Sequence, residues 1–125
     1  MNLVGLDHIV LCVRDVDATR AFYGDLLGME SREERPGKWA LHFGTQKISL
    51  QHHATLPEIA RGTTPGSGNF CLIAADSVDL LVDRLRDRGI EILAGPDERV
   101  GAIGTIRSVY FRDPDGNLVE VSNQL

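Results

Sequence analysis

On either side of a stretch rich in glycine and proline, Ala54 to Gly68, the chain shows the same order of elements: strand, helix, then three strands. A strand-helix-strand-strand-strand unit has only one helix to cover its sheet, so one sheet face is buried beneath the helix and the other is left for something else. In the first half, His8 to Val13 alternates so that Ile9, Leu11 and Val13 share an aliphatic face and His8, Val10 and Cys12 lie opposite. Asp15 is placed to cap a helix through about Leu27, with Ala18, Ala21, Phe22 and Leu26 at near-helical spacing and Gly28 closing it. Glu30 to Arg35, Lys38 to Phe43 and Gln46 to His53 read as strands separated by Pro36-Gly37 and Gly44-Thr45 turns.

The second half opens with a strand from Asn69 to Ala75 and a helix capped by Asp76 or Ser77. In that helix Val78, Leu81, Val82 and Leu85 fall at i, i+3, i+4 and i+7, and Gly89 ends it. Ile90 to Ala94 reads as a short strand, and Gly95 to Gly104 as a loop able to serve as a surface connection or a mobile lid. Two strands flank the turn Asp113-Pro114-Asp115-Gly116-Asn117, where proline presets φ and Gly116 and Asn117 tolerate reversal of the chain. The expected fold is α+β: two β-α-β-β-β modules forming one curved mixed sheet around a concave site, with the helices outside. Residues 1–125 then make a single domain, with module one over 1–53, a linker over 54–68 and module two over 69–125.

The 13 Lys and Arg against 18 Asp and Glu give a net charge of −5 with no basic cluster, which argues against a nucleic-acid surface. No apolar run is long enough to span a bilayer and no basic-then-apolar leader opens the chain, so the expected location is cytoplasmic, without a membrane partner. Cys12 and Cys71, both in strand-like runs, suit free buried thiols better than a disulfide. No Ser-His-Asp signature, Cys-x-x-Cys pair, phosphate-binding Gly-Lys-Ser loop or dinucleotide fingerprint is present.

The residue demanding a partner is Glu120. Alternation along Leu118 to Val121 puts it with Leu118 and Ser122, opposite the aliphatic Val119 and Val121. A carboxylate on a core strand costs several kcal/mol unless it is paired, hydrated or bound to a metal. By the same parity the uncovered faces carry His8, Gln51, Asn69 and Cys71, so His8, Gln51 and Glu120 form one candidate set of metal ligands. The alternatives are a core histidine with satisfied hydrogen bonds and a carboxylate held by Arg107 or Arg112. Trp39 and Tyr110 are candidate pocket walls, although aromatic residues on strands commonly serve packing. His42 is compatible with pocket or solvent, and His52 and His53 with an exposed strand end.

Three segments carry a family resemblance: Leu6-Asp7-His8-Ile9-Val10-Leu11, Phe22-Tyr23 with Leu26-Leu27-Gly28-Met29, and Phe111 through Glu120. Together they resemble the vicinal oxygen chelate superfamily of glyoxalases, fosfomycin and bleomycin resistance proteins and extradiol dioxygenases. Gly44 to Leu50, Thr64 to Gly68 and Ser108 to Ser122 resemble the glyoxalase domain-containing protein 5 group, which includes bacterial virulence proteins. The resemblance implies paired modules around a metal-binding concavity, usually completed in a homodimer. His8 matches the first-strand ligand and Glu120 the last-strand ligand, Glu120 also being the candidate catalytic base. Gln51 stands where this group tends to have histidine, and Asn69 where many relatives have histidine, with Cys71 two residues on. The implied cofactor is a divalent ion, nickel, zinc, manganese or iron, serving lyase or isomerase-like chemistry on a small molecule. The alternative is a bleomycin-resistance type of dimer that sequesters its ligand unchanged. Asn69, Cys71, Trp39 and Tyr110 complete the expected substrate contacts.

Overall fold

The computed structural model describes residues 1–55 and 60–125, and the chain divides into two compact units, Met1–Ser67 and Gly68–Leu125. Pro57, part of the sequence reading of the linker, lies outside the described residues. No helix is long and apolar enough to cross a membrane among the described residues.

The first unit contains β1 (His8–Val13), α1 (Val16–Leu27), β2 (Glu30–Arg35), β3 (Lys38–Phe43) and β4 (Gln46–His52), and the second contains β5 (Asn69–Ile73), α2 (Val78–Asp87), β6 (Ala94–Gly101), β7 (Gly104–Arg112) and β8 (Leu118–Gln124). The class and the twice-repeated order are those expected from the sequence. The single sheet of that expectation resolves into two four-stranded mixed sheets, ordered β1-β4-β3-β2 and β5-β8-β7-β6. In each, the outer strand of the module's start pairs parallel with its last strand, and the remaining ladders are antiparallel.

Local chemistry sets the helix ends. Asp15 Oδ1 accepts from the Ala18 amide at 2.9 Å, and Gly28, at φ 72°, donates its amide to the Gly24 carbonyl at 3.0 Å. Ser77 rather than Asp76 caps α2, its hydroxyl accepting from the Asp79 amide at 3.2 Å. Asn123 on β8 adds a cap from outside the helix: its Oδ1 accepts from the Val78 amide at 2.8 Å while its Nδ2 donates to the Ala74 and Asp76 carbonyls. That side chain ties the start of α2 to the strand carrying Glu120.

Helix α1 packs on β2, β3 and β4, and α2 packs on β7 and β8. The buried side chains of β1, β4 and β8 follow the predicted parity, Leu11, Val13, Ile48, Leu50, Val119 and Val121; Leu41, Tyr23 and Leu26 join them in the first unit, and Val109, Phe111, Val78, Leu81, Val82 and Leu85 in the second.

The main departure is β6. The sequence predicts a strand over Ile90–Ala94 and a loop over Gly95–Gly104, whereas the strand starts at Ala94 and runs to Gly101, paired with β7. The glycines and proline that argue against a strand are absorbed at its ends. A register shift between Ala94 and Asp97 accommodates Gly95 and Pro96, and Gly101 faces Gly104 across a tight Ala102-Ile103 turn. This segment is therefore a sheet edge and not a lid.

Candidate functional site

In the first unit, the ladder places His8 abreast of Lys47, which is abreast of His42. Asp7 Oδ1 lies 2.7 Å from His8 Nδ1, which fixes the ring and leaves Nε2 as the available nitrogen. The neighbouring ammonium of Lys47 is matched by Glu34, with Nζ 2.7 and 2.9 Å from the two carboxylate oxygens. His42 Nε2 is 2.9 Å from the same carboxylate, so His42 belongs to this polar network on the His8 face. Hydrogen bonds from Lys47 and then His42 hold the Glu34 carboxyl below the usual carboxylate range.

Gln51 is not brought to His8. It is abreast of Cys12, four residues along β4 from the position facing His8, which at about 3.3 Å per residue is roughly 13 Å. Ser49 is two residues nearer on the same face. Parity was legible in the sequence, whereas the β1-β4 register, which decides who meets whom, was not. His52 and His53 are exposed at the strand end, their ring centroids 4.6 Å apart. Trp39 is also removed from the expected pocket wall. It shares parity with buried Leu41 on the helix side, and the Arg20 guanidinium of α1 stacks on it with Cζ 3.3 Å from the ring centroid.

In the second unit three predicted residues converge. The ladders align Cys71, Glu120 and Tyr110 across β5, β8 and β7, and all three line a cavity of about 730 Å³. Asn69, exposed and two residues before Cys71, does not line it. Cys71 is open to this cavity, unlike the buried Cys12, which corrects the expectation that both thiols are buried. Ile73, Val100, Ile103 and Ile106 supply apolar walls, and Arg99 is the cation among the lining residues.

Neither arginine suggested for Glu120 holds it. Arg107 donates to Asp79 Oδ1 at 2.9 Å, and Arg112 to the Gly116 carbonyl at 3.1 Å. Among the described residues Glu120 has neutral hydrogen-bond partners and no ion pair. Tyr110 is hydrogen-bonded to it, and the Ser122 hydroxyl donates to Glu120 Oε1 at 3.4 Å. Burial, followed by the hydrogen bond to Glu120, pushes the Tyr110 phenol up, while Arg99 pulls in the opposite direction. Burial pushes the Cys71 thiol up as well, the hydrogen bond with Ser122 opposing it and the neighbouring Glu120 charge adding to it.

Sequence reasoning missed Arg99 and the buried serine pair. Arg99 fell in the segment read as loop, where the alternation of Arg99 with Asp97 was the available strand signal. Ser108 and Ser122, both fully buried with hydroxyls 2.7 Å apart, face each other across β7 and β8. Only the register joins them.

Residues 5–121 match the family model described as Glyoxalase/Bleomycin resistance protein/Dioxygenase superfamily. The chain is 42% identical to virulence protein STM3117 of Salmonella typhimurium, covering 94% of this chain and 82% of the relative. It is 40% identical to glyoxalase domain-containing protein RDO1 of Mycosarcoma maydis, over 98% of this chain and 70% of the relative. An integron cassette protein from the mobile metagenome of V. cholerae superposes with a TM-score of 0.94 at 41% identity, covering 100% of this chain and 98% of that one. More distant matches include a metallothiol transferase of Shouchella clausii, 29% identical over 94% of this chain and 78% of the relative. The antibiotic-binding protein TnmS3 of a Streptomyces species shares the fold with a TM-score of 0.78, at 22% identity over 100% of this chain and 99% of that one.

Proposed function

We propose, for a chain that belongs to the glyoxalase/bleomycin resistance protein/dioxygenase superfamily, a small-molecule enzyme of glyoxalase type in which His8 and Glu120 hold a divalent metal ion. The observation that carries this reading is Glu120 itself, a half-buried carboxylate lining a largely apolar cavity whose hydrogen-bond partners among the described residues are neutral. A cation is the partner that offsets its desolvation. The donor types fit, since an imidazole nitrogen and a carboxylate oxygen suit nickel, zinc, manganese or iron. A relative named as a metallothiol transferase supports the same class. Gln51 has no place in this set, because its register separates it from His8.

When bound, such an ion would act as a Lewis acid toward substrate oxygens. The chain's own residues do the rest. Asp7 orients the His8 ring so that Nε2 is presented. Tyr110 and Ser122 orient the Glu120 carboxylate, which is also the group placed to accept a proton from a bound substrate in lyase or isomerase-like chemistry. Ile73, Ile103 and Ile106 give the cavity an apolar wall beside that carboxylate.

The test is elemental analysis of protein purified without chelator, alongside His8→Ala and Glu120→Ala. Near-stoichiometric metal in the wild type should fall to background in both variants with the fold retained by circular dichroism. Unchanged metal in both variants would end the assignment. Homodimerisation belongs to the same reading, and sedimentation of a monomer at micromolar concentration would remove it.

A second reading, sequestration of an apolar ligand, is favoured by the aliphatic cavity walls and has an antibiotic-binding protein among its fold neighbours. It predicts calorimetric binding by chelator-treated protein of a ligand recovered unchanged. Trp39 fluorescence is not the probe for this, because Trp39 sits beneath Arg20 on the helix side.

A further inference from the structure

Resting on the reading of the Cys71–Glu120 cavity as a small-molecule site, we propose that its ligand is an amphipathic organic carboxylate. Arg99 holds the anionic group, and Ile73, Val100, Ile103 and Ile106 hold the apolar body. Every residue this requires lies in the second unit and lines this cavity.

The register shows how the charge reaches the site. Arg99 is abreast of Ile106, which is abreast of Gln124, four residues along β8 from Glu120. At about 3.3 Å per residue that offset is roughly 13 Å of strand. The Arg99 side chain spans part of it, because its Cζ lies 5.5 Å from the centroid of the Tyr110 ring, and Tyr110 is abreast of Glu120. The cavity therefore carries a cation and a carboxylate that both neighbour Tyr110 and, among the described residues, form no ion pair with each other.

Arg99 has donors to spare. Its Nη1 donates to the Glu98 carbonyl at 2.9 Å, while the Asp97 carboxylate stands 3.8 Å from Nη2, beyond hydrogen-bonding distance. A guanidinium presents five N–H donors in a planar fork that matches a carboxylate with two parallel bonds. The Asp97 side chain is 62% exposed, so a carboxylate entering from the cavity displaces only a weak, solvated contact.

The rest of the wall favours a ligand with a hydrocarbon body over a small polar anion. Ile73, Val100 and Ile103 are 60%, 95% and 84% exposed beside this charge, and covering them is favourable only for an apolar surface. A charged group entering apolar surroundings without a partner is costly, so the charge on the wall selects the charge on the ligand. Glu120 repels a carboxylate placed beside it, which sets the orientation: the anionic group goes to Arg99 and the hydrocarbon toward Glu120.

The experiment is isothermal titration of the full chain, as purified and after chelator treatment, with phenylbutyrate, its neutral amide and the cationic phenylbutylamine. The proteins are the wild type, Arg99→Gln and Ile103→Ser. The wild type should bind the acid about 10-fold or more tighter than the amide, the scale of a charge-assisted hydrogen bond. Arg99→Gln should lose the preference for the acid, and Ile103→Ser should weaken acid and amide together. Equal binding of acid and amide by the wild type, tightest binding of the amine, or a preference that survives in Arg99→Gln or vanishes with chelator would overturn the carboxylate assignment while leaving the cavity as a ligand site. Binding of none of the three, or binding that Ile103→Ser leaves unchanged, would remove the small-molecule reading of the cavity, and this inference with it.

Discussion

Asp113→Ala should lower the free energy of unfolding by roughly 3–5 kcal/mol, because three donors lose the same acceptor in a buried turn. Asp113 Oδ1 accepts from the Asp115 and Asn117 amides at 3.0 Å each, and its Oδ2 accepts from Asn117 Nδ2 at 2.8 Å. Asn117 in turn accepts the Gly68 amide at 2.7 Å, so the turn between β7 and β8 also fixes the entry to β5. Asp113 and Asn117 are 6% and 1% exposed, which leaves little water to replace a missing partner. This turn sets the register in which Cys71, Glu120 and Tyr110 stand abreast, so the variant should lose metal affinity as well as stability. Asp113→Asn keeps an acceptor for the two amides and should lose about half as much. Urea unfolding of both variants checks the order, and a loss below about 1 kcal/mol for Asp113→Ala would show that the turn is not held by these bonds.

How much of this was legible in the sequence depends on the range of the interaction that decides each feature. Element order, the Asp15 cap, the Gly28 stop and the shared parity of Cys71 and Glu120 are local, written in periodicities of 2 and 3.6 residues and in cap chemistry. Register is not local. The offset between β1 and β4 that separates Gln51 from His8, and the one that seats Ser122 between Cys71 and Glu120, come from pairings between segments about 40 to 50 residues apart. Trp39 could not be assigned a face while its strand's parity was unanchored, and Arg20, which stacks on it, comes from a helix read for its apolar positions alone. The reading of β6 as a loop had a different cause. Glycine and proline were weighed by composition, and a bulge and a tight hairpin are the settings in which a strand accommodates both.

Gly95 is where that misreading becomes testable. At φ +86° it occupies backbone conformation that a side chain strains, and a Cβ on it would collide with the Ser108 carbonyl oxygen and stand 3.1 Å from its carbon. The obstruction is backbone of the neighbouring strand, so relief requires β6 to move away from β7. Gly95→Ala should therefore cost about 3–5 kcal/mol, combining the strain of a non-glycine residue at positive φ with that of overpacking. Gly28→Ala is the control: its φ is also positive, at 72°, but nothing lies within 4 Å of the added carbon, so it should cost only about 1 kcal/mol. The functional consequence follows from what β6 carries. Arg99 stands over Tyr110, and Val100 forms part of the cavity wall, so displacement of β6 should open the cavity and release Tyr110 from Arg99. The phenol, pulled down by Arg99 in the wild type, should then titrate higher, an effect readable as a shift in tyrosinate absorbance relative to a Tyr110→Phe background. Equal losses for Gly95→Ala and Gly28→Ala would mean that β6 yields without cost and behaves as the loop its composition suggests; a loss several times larger at Gly95 would mean that the Arg99 wall is a fixed part of the site.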